Sequence, residues 1–474
     1  MAQTQASAAA VTENLALLEK AGLSRTDAEG WLAAEPAVTG DFGADATACA
    51  KFWQLGAALR ARLPAKAARQ GGQQAAAALI HGRERELRHR FLAAHVEVVY
   101  GKLTNGRRRF VRAEQLVADA GVLLPGLTPS AEQMERENGL FLKDKEGLET
   151  DHGILMSHVF AHPELGLHLC HAMLMPRPEA LKLAPRVLKE GSIDLGGATL
   201  SRMGKASVVE LRNPRYLNAI DEPTLIPFET AVDLALLDPV TEIVVLRGGF
   251  VEHPKYAGRR VFCAGINLTH LYQGKVPFLF YFKHAMGYEN KMLRGLGKAD
   301  ASADDVAGGS TIEKPWIAAL ETFAIGGGCQ HLLVMDYTLA ASDAYMTLPA
   351  RKEGIIPGIA NLRLPRFVGD RIARQAIMYG RRLDCDSPEG RMICDEIVPP
   401  AEMDAAIARV VDGLTSSGMV SAVGNRRQFR VGQETLHDFR RYLARYTMEQ
   451  AYCHFSDGLI ANLERHWNAQ NRTA

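Results

Sequence analysis

The chain has 474 residues, 47% of them hydrophobic, and a formal net charge of +1, so it can bury a large core and should contain more than one structural unit. This balance gives no general attraction for nucleic acid or anionic membranes, and no apolar run reaches membrane-spanning length. Seven scattered cysteines without a C-x-x-C pair favour free thiols, and the N-terminus lacks secretory-signal features. We expect a cytoplasmic globular protein that binds neither nucleic acid nor membrane.

Residues 1–200 are predicted to be helical, because alanine-rich stretches with a 3.6-residue period recur, for example at 11–18 and 87–100. Five histidines fall between 152 and 171, and the i, i+4 spacing of His158 and His162 could place two imidazoles on one helix face, as zinc requires. No H-E-x-x-H glutamate or third ligand accompanies them. We interpret them as packing and surface histidines and predict no metal site.

The pattern changes at about residue 200, where short β-rich runs begin to alternate with helical stretches. The runs lie at 206–211, 242–247, 260–264, 316–320, 337–341 and 344–348, with a helical stretch at 224–237. This order predicts a largely parallel sheet. Residues 298–311 have the composition of an exposed loop, and helical patterns return at 404–414 and 433–446. We predict a helical domain (1–200), an α/β core (201–398) and a helical C-terminal segment (399–474).

Two glycine-bearing turns are the most informative features of the core. The first, F-C-A-G-I-N at 262–267, ends a β-rich run, and the second, A-I-G-G-G-C-Q at 324–330, lies between a β-rich run and a helical one. Glycines at such a turn leave backbone N–H groups bare, and a following helix adds partial positive charge. Either turn alone is more often purely structural, but together they could direct two N–H groups at one oxygen.

With Leu348-Pro349-Ala350 and G-I-I-P-G at 354–358, these turns resemble the crotonase (enoyl-CoA hydratase/isomerase) superfamily over about residues 205–400. The resemblance implies an α/β fold with a ββα spiral core, flanked here by the helical N-terminal domain and C-terminal segment, and a homo-oligomer (trimer or hexamer). It also implies that the N–H groups of Ile266 and Gly327 form an oxyanion hole for an acyl-CoA thioester oxygen. Their turn neighbours become substrate-binding candidates: Ala264, Gly265, Asn267 and Gly326.

Two departures from the superfamily pattern bear on the reaction. Hydratases of this superfamily carry glutamates where this chain has Gln330 and Ala350. Gln330 cannot ionise and Ala350 has no titratable proton, so the acid/base pair for adding water is missing. We therefore expect Gln330 and Ala350 to border the substrate in an enzyme that does not hydrate enoyl-CoA.

Further segments, at 169–174, 247–249, 253–262, 342–345 and 352–358, resemble the cofactor-independent dioxygenases of this superfamily, in which an amide such as Gln330 replaces the hydratase glutamate. That resemblance implies an oxidoreductase of secondary metabolism, such as antibiotic biosynthesis. It would convert an arylacetyl-CoA, here (3,5-dihydroxyphenyl)acetyl-CoA, and O2 into an arylglyoxylate and free CoA. No metal or flavin cofactor is implied, because an electron-rich aryl enolate can reduce O2 directly.

The base for this reaction is predicted less directly. Glu222 follows a segment where related enzymes carry an acidic residue near the substrate, although the local match is interrupted. Those enzymes would also place an arginine against the substrate in the region 282–288, where Lys283 or His284 stands instead. Glu222 is therefore our sequence-based candidate for the base, and the aryl substrate is left open.

Other candidates have plain structural explanations as well. Arg212 and Arg215 could meet CoA phosphates or simply be a solvated strand end. His253 lies in a matching segment, and Ile355 could border O2 or belong to the core. Cys263 and Cys329 flank the two turns, and we interpret both as small buried thiols. Two alternative functions remain, namely other acyl-CoA enolate chemistry (a thioester hydrolase or isomerase) and a catalytically silent CoA-binding protein.

Overall fold

The structure is a computed structural model that describes residues 2–300 and 311–472, the side chains of 2–10 excepted. Most of the loop predicted at 298–311 lies outside the described residues. Contacts group the chain into two compact units, one comprising the residues up to 166 with 443–455, the other comprising 167–442 with the residues from 456 onward. The division at 200 and 398 stays a prediction about domains.

Helices account for the described part of the chain up to residue 190, as the alanine-rich periodicity predicts. Trp31 stacks on Phe52 in this core at 5.2 Å between ring centroids, and buried His95 Nε2 lies 2.7 Å from Asp45 Oδ2. The helices are α1 (Ala2–Lys20), α2 (Arg25–Ala33), α3 (Phe42–Arg60), α4 (Gly71–Leu103), α5 (Ala113–Leu123), α6 (Ala131–Asn138), α7 (Thr150–Ala161), α8 (Pro163–Leu174) and α9 (Pro178–Glu190).

Helices continue between and after the strands. They are α10 (Glu222–Leu237), α11 (Leu268–Tyr272), α12 (Phe280–Phe282), α13 (Asn290–Arg294), α14 (Gly327–Leu332), α15 (Ala350–Glu353), α16 (Ala360–Tyr379), α17 (Met403–Thr415), α18 (Val420–Gln433), α19 (Leu436–His454) and α20 (Asp457–Trp467). A π-helical turn, Lys283–Glu289, joins α12 to α13. Within the described ranges, no helix is both long and apolar enough to cross a bilayer.

A seven-stranded sheet with the order β1-β2-β3-β4-β5-β7-β10 forms the core of the second unit. Its strands are β1 (Ser192–Asp194), β2 (Ala198–Met203), β3 (Ala206–Leu211), β4 (Ile243–Gly248), β5 (Trp316–Leu320), β7 (Tyr337–Ala341) and β10 (Glu396–Val398), whereas β6 (Phe323–Ile325), β8 (Tyr345–Thr347) and β9 (Leu383–Asp384) form a smaller sheet. Pairing is parallel from β3 through β10, for example Val245 with Ile317. β5 is buried throughout, which explains its continuous apolar sequence.

The structure differs from the strand prediction in three respects. It contains β6, β9 and β10, which lie outside the predicted runs. Strands begin at Ser192, slightly before the change in sequence pattern. Residues 260–264 form no extended strand, and only isolated bridges join Phe250 to Arg260 and Cys263 to Ala324. The Asn218 side chain supplies one of the missing ladder bonds by donating to the Val261 carbonyl at 2.8 Å. The segment is β-like in composition because it is buried, not because it belongs to a sheet.

Candidate active site

The two glycine-bearing turns lie side by side in the structure. The bridge between Cys263 and Ala324 joins them, and Ile325 N–H donates to Cys263 O at 2.9 Å. Gly265 has φ +82°, and a Cβ at this position would lie 2.7 Å from Ile325 O. Only glycine permits so close an approach of two backbones. The structure therefore brings together the turns that the sequence analysis paired.

The second turn is equally crowded. Gly326 has φ +53° and donates its N–H to Thr347 O at 2.9 Å, which ties the turn to β8. A Cβ on Gly328 would lie 2.7 Å from Cys263 Cβ, so this glycine is needed for packing against the first turn. Ala264 is partly buried at the same contact. Gly326 and Gly328 are thus each glycine for a different steric reason, the first because of its positive φ and the second because of close packing.

The backbone N–H groups of Ile266 and Gly327 have no hydrogen-bond acceptor among the described residues. The next N–H group in the first turn is satisfied, since Asn267 N–H donates to Ile220 O at 2.9 Å. Buried N–H groups are nearly always bonded, so two bare donors on touching turns require an explanation. Ile266 and Gly327 are only partly buried, so solvent or the oxygen of a bound molecule could satisfy both donors.

A buried polar network holds the first turn in place. Asn267 Nδ2 donates to Asp221 Oδ2 at 2.9 Å, and His270 Nδ1 lies 3.0 Å from the same oxygen. Ile220 N–H donates to Gly265 O at 2.7 Å. Asp221 also caps α10 by accepting the N–H of the third helical residue. These contacts place the start of α10 directly beside the first turn.

Gln330 is buried on α14, with its side chain directed at the turn before α16. Its Oε1 accepts the Ile359 N–H at 3.1 Å, an assignment fixed by the donor, so its amide nitrogen is left as a donor. Tyr442 O–H donates to Gly358 O at 2.6 Å and steadies this turn. Ala350 is buried at the first position of α15. Neither hydratase glutamate position holds a carboxylate.

Lys283 and Glu222 form an ion pair beside these turns. Lys283 Nζ lies 2.7 Å from both carboxylate oxygens of Glu222, and their side chains are 11% and 29% exposed. Charge-assisted bonds of this kind are about twice as strong as neutral ones. The two residues that the sequence analysis considered separately, one as base and one as a substrate contact, are thus bonded to each other.

Three buried ionisable side chains cluster behind Gly327. His284 Nδ1 lies 3.5 Å from Glu289 Oε2, and His331 Nε2 lies 4.0 Å from Glu289 Oε1. The His284 and His331 rings stack at 5.5 Å between centroids. His284 Nε2, His331 Nε2 and both Glu289 oxygens have no hydrogen-bond partner among the residues that the structure describes. A Cβ on Gly327 would lie 3.0 Å from His284 Nε2, so the cluster borders the second turn directly.

Burial dominates the ionisation of this cluster. It raises the pKa of Glu289 to about 8, although the Arg363 guanidinium, 3.9 Å away, opposes the rise. Burial lowers the pKa of His284 well below its usual value, with His331 and Arg363 adding to the effect. It also lowers the pKa of His331 to about 3. Both imidazoles are therefore neutral near pH 7.

The same cluster is where a cation could be held. The ligand atoms of His284, Glu289 and His331 lie within 4.8 Å of one another, and a search of the described residues finds this group alone. The His158–His162 pair does not converge. His158 Nε2 contacts His89 Nδ1 at 3.1 Å, whereas His162 pairs with a glutamate on α4.

The remaining predicted residues make local contacts. Arg212 pairs with Asp194 at 2.8 Å, Arg215 is exposed above a tyrosine ring, and His253 is an exposed cap of a 3-10 turn. Ile355 is buried. Cysteines 263 and 329 are buried free thiols, and burial raises the pKa of each to about 12. Roles in substrate binding for the first four stay predictions.

Glu289 and His331 are not among the residues predicted from the sequence. In an α-helix, residues 284 and 289 would not face each other, because neighbours on one face are three or four apart. The π-helical turn Lys283–Glu289 changes this, since its hydrogen bonds join residues five apart. His331 follows Gln330 immediately, but no spacing in the sequence connects it to Glu289.

The chain belongs to the enoyl-CoA hydratase/isomerase family, whose model matches residues 203–467. This confirms the crotonase superfamily and the α/β fold with its helical N-terminal region and helical C-terminus. A (3,5-dihydroxyphenyl)acetyl-CoA 1,2-dioxygenase from Amycolatopsis orientalis is 43% identical over 410 residues, or 86% of this chain and 93% of that protein. This similarity extends beyond the family match into the helical N-terminal half.

More distant similarities cover about half of the chain. A crotonyl-CoA hydratase from Syntrophomonas wolfei is 25% identical over 237 residues, or 50% of this chain and 82% of that protein. The crystal structure of an enoyl-CoA hydratase from Mycobacterium avium subsp. paratuberculosis K-10 covers 57% of this chain and 98% of its own, with 19% identity and a TM-score of 0.47.

Proposed function

We propose that this protein is a cofactor-independent dioxygenase that converts an arylacetyl-CoA, specifically (3,5-dihydroxyphenyl)acetyl-CoA, and O2 to the arylglyoxylate and free CoA. One observation carries the proposal: two bare N–H groups, of Ile266 and Gly327, on touching turns, with Gln330 and Ala350 in place of the hydratase carboxylates. The 43% identical dioxygenase supports the same reaction class.

In this proposal the thioester oxygen accepts hydrogen bonds from Ile266 and Gly327. Loss of a Cα proton gives an enolate whose negative oxygen these donors stabilise, each by about 2.7–4 kcal/mol in comparable sites. The electron-rich ring lets the carbanion reduce O2, and the resulting peroxide attacks the thioester carbon and expels CoA thiolate. Cleavage of the O–O bond and loss of the second Cα proton leave the arylglyoxylate, so that one O2 is consumed for each CoA released.

The other site residues take roles consistent with their surroundings. The free amide nitrogen of Gln330 would donate to the substrate, while Ala350 leaves room for the aryl ring. Ile355 would border an apolar berth for O2. Three side chains that are exposed or half-buried would contact the CoA phosphates, two of them arginines and one a histidine. They are Arg212, Arg215 and His253. Glu222 is the base suggested by sequence, and its pairing with Lys283 is considered below.

The proposed function also concerns the oligomeric state and the cellular context. We propose a homo-oligomer, a trimer or a hexamer, working in the cytoplasm in a pathway of secondary metabolism such as antibiotic biosynthesis. Its small-molecule partners would be the aryl acyl-CoA and O2, with no nucleic-acid or membrane partner. Light scattering of the purified protein measures the assembly directly, and a monomer would contradict that part.

Oxygen uptake tests the function. Protein whose metal content has been measured, with and without chelator treatment, is given (3,5-dihydroxyphenyl)acetyl-CoA, and O2, free thiol and arylglyoxylate are followed together. We expect equal amounts of O2 consumed and thiol released, insensitive to the chelator. Uptake that vanishes with a metal would refute the cofactor-independent reaction. Thiol release without O2 would indicate a hydrolase, and binding without turnover a silent CoA-binding protein.

A further inference from the structure

We propose that His284 is the catalytic base that removes the Cα proton, and that Glu289 positions it. This inference rests on the proposed function, because it names the proton acceptor for the enolate-forming step. The imidazole has two distinct sides. Its Nδ1 lies 3.5 Å from Glu289 Oε2, whereas its Nε2 is unpartnered and lies at the Gly327 turn. A carboxylate at Nδ1 and a free Nε2 are the arrangement by which carboxylate–histidine pairs accept protons.

The position of Nε2 fits the step. It would lie 3.0 Å from a Cβ on Gly327, and so borders the residue whose N–H is the proposed enolate-oxygen donor. In a thioester, the carbon that loses the proton is bonded directly to the carbonyl carbon. A substrate oxygen held at the Gly327 N–H therefore brings its Cα near the same turn. At 3.5 Å the Glu289 contact is not yet a hydrogen bond, and catalytic hydrogen bonds often tighten only when substrate binds.

The backbone is shaped for this pairing. The π-helical turn Lys283–Glu289 closes bonds between residues five apart, so His284 and Glu289 lie one turn from each other. Inside the turn, Gly287 has ψ −112°, outside the helical range. Wide turns of this type are rare and frequently occur at functional sites. A regular α-helix over the same residues would direct the two side chains to different faces.

The proton balance is complete with these groups. The lone pair of His284 Nε2 takes the Cα proton, the C–H electrons move into the enolate, and the enolate oxygen is held by the two N–H donors. The imidazolium that forms is stabilised by the Glu289 carboxylate through Nδ1–H. His284 is neutral beforehand because burial holds its pKa well below the usual value. It can therefore accept a proton once Glu289 is ionised and holds the proton of the ring on Nδ1, which the raised pKa of Glu289, about 8, places above neutral pH.

The surroundings disfavour two other interpretations. Glu222 has both carboxylate oxygens bonded to Lys283 at 2.7 Å, so each oxygen already accepts a charge-assisted hydrogen bond. A cation in the cluster would face the Arg363 guanidinium, which lies 3.9 Å from Glu289 Oε2. A cation bound by this carboxylate would therefore lie close to a like charge in a buried site, where the repulsion is strong. A role of His284 Nε2 as proton acceptor, in contrast, adds no positive charge to the site before substrate binds.

Deuterium exchange tests the base separately from the oxygen chemistry. Under anaerobic conditions in D2O, wild-type protein should exchange the Cα protons of (3,5-dihydroxyphenyl)acetyl-CoA, which is followed by NMR. His284→Gln keeps a polar side chain of similar length but no basic nitrogen, and we expect exchange to fall by about 10²–10⁴-fold, the usual contribution of a general base. Calorimetry should show the substrate binding within about threefold of wild type.

Matched variants show whether the loss of exchange is specific to His284. Glu222→Gln tests the rival base and should lower exchange much less than His284→Gln does. His171→Gln removes another buried imidazole of the same unit, whose Nε2 contacts Lys298 O at 2.9 Å, and should leave exchange unchanged. Similar circular dichroism and oligomer size would show that each variant is folded. If His284→Gln alone fails to fold, His284→Asn, which keeps a nitrogen near the Nδ1 position, provides the same measurement.

Glu289 is tested by the pH profile. Its pKa is raised to about 8, so below that pH the carboxyl O–H faces Nδ1 and the imidazole proton sits on Nε2, where it blocks the base. Above that pH the carboxylate accepts Nδ1–H and frees Nε2. Exchange should therefore rise with pH through about 8, and Glu289→Gln should remove this rise. The ionisable groups around the pair are His331, Arg363, Tyr288, Cys263, Cys329, Glu229 and Glu434.

Four results would overturn the inference. One is exchange by His284→Gln at the wild-type rate, the second is loss of exchange in Glu222→Gln alone, and the third is no anaerobic exchange by wild type. A stoichiometric metal in wild-type protein that is lost in His284→Gln and Glu289→Gln would also overturn it and assign the cluster to a cation. Exchange without O2 uptake would support the base while refuting the dioxygenase reaction.

Discussion

Replacement of Gly327 by proline isolates one hydrogen-bond donor of the proposed oxyanion hole. Gly327 is the first residue of α14, its φ is not positive, and its N–H is unbonded, so proline removes the donor without breaking a helical hydrogen bond. The residue before a proline usually has an extended backbone. Gly326, with φ +53° and ψ −111°, has the mirror image of that conformation, which glycine can adopt because it lacks a Cβ. The fold should therefore tolerate Gly327→Pro.

The expected loss follows from the chemistry of the donor. Removing one oxyanion donor costs about 2.7–4 kcal/mol, which corresponds to about 10²–10³ in kcat. Gly327→Ala is the matched control, because it adds the same Cβ, 3.0 Å from His284 Nε2, yet keeps the N–H. Oxygen uptake and anaerobic deuterium exchange should both fall in the proline variant relative to the alanine variant. Equal rates in the two variants would refute the assignment of Gly327 as a donor.

Three further predictions concern neighbouring residues. Gln330→Glu should give no measurable hydration of crotonyl-CoA, because Ala350 still supplies no second carboxylate, and hydration by this single variant would contradict our interpretation of the pair. Gly358→Ala should lower the free energy of unfolding by at least about 1–2 kcal/mol in urea titrations, because φ is +47° and the new Cβ would overlap Gln330 Oε1. Cys263 and Cys329 should resist iodoacetamide at pH 8 in the native protein and react after denaturation, because burial raises each thiol pKa to about 12 and keeps it protonated; labelling at the rate of a free thiol would refute this.

The strands of the core could be predicted because each strand is indicated by the residues of its own short segment. The runs at 316–320 and 337–341 coincide with β5 and β7, and the family match confirms the fold. The run at 260–264 was wrongly predicted as a strand, because burial next to a turn selects the same apolar residues as burial in a sheet.

The candidate site also has a part that the sequence predicts and a part that it does not. Glycines at 265 and 326–328 signal close backbone approach, and the structure does bring these turns together. The Lys283–Glu222 pair could not be predicted, because it joins residues 61 apart in the chain. Glu289 was missed because only the π-helical turn, which has no reliable sequence signature, places it beside His284.

The bare donors of the two turns belong to the main chain. Substituting the side chain of Ile266 changes what surrounds the donor but leaves the N–H in place, and proline alone among the amino acids removes it. Under the proposed function, activation of the thioester would therefore be insensitive to most mutations, whereas the groups proposed to decide the fate of the activated carbon, such as Gln330, Ala350 and His284, are side chains. Variation can thus exchange one reaction for another on this scaffold without rebuilding the part that holds the substrate.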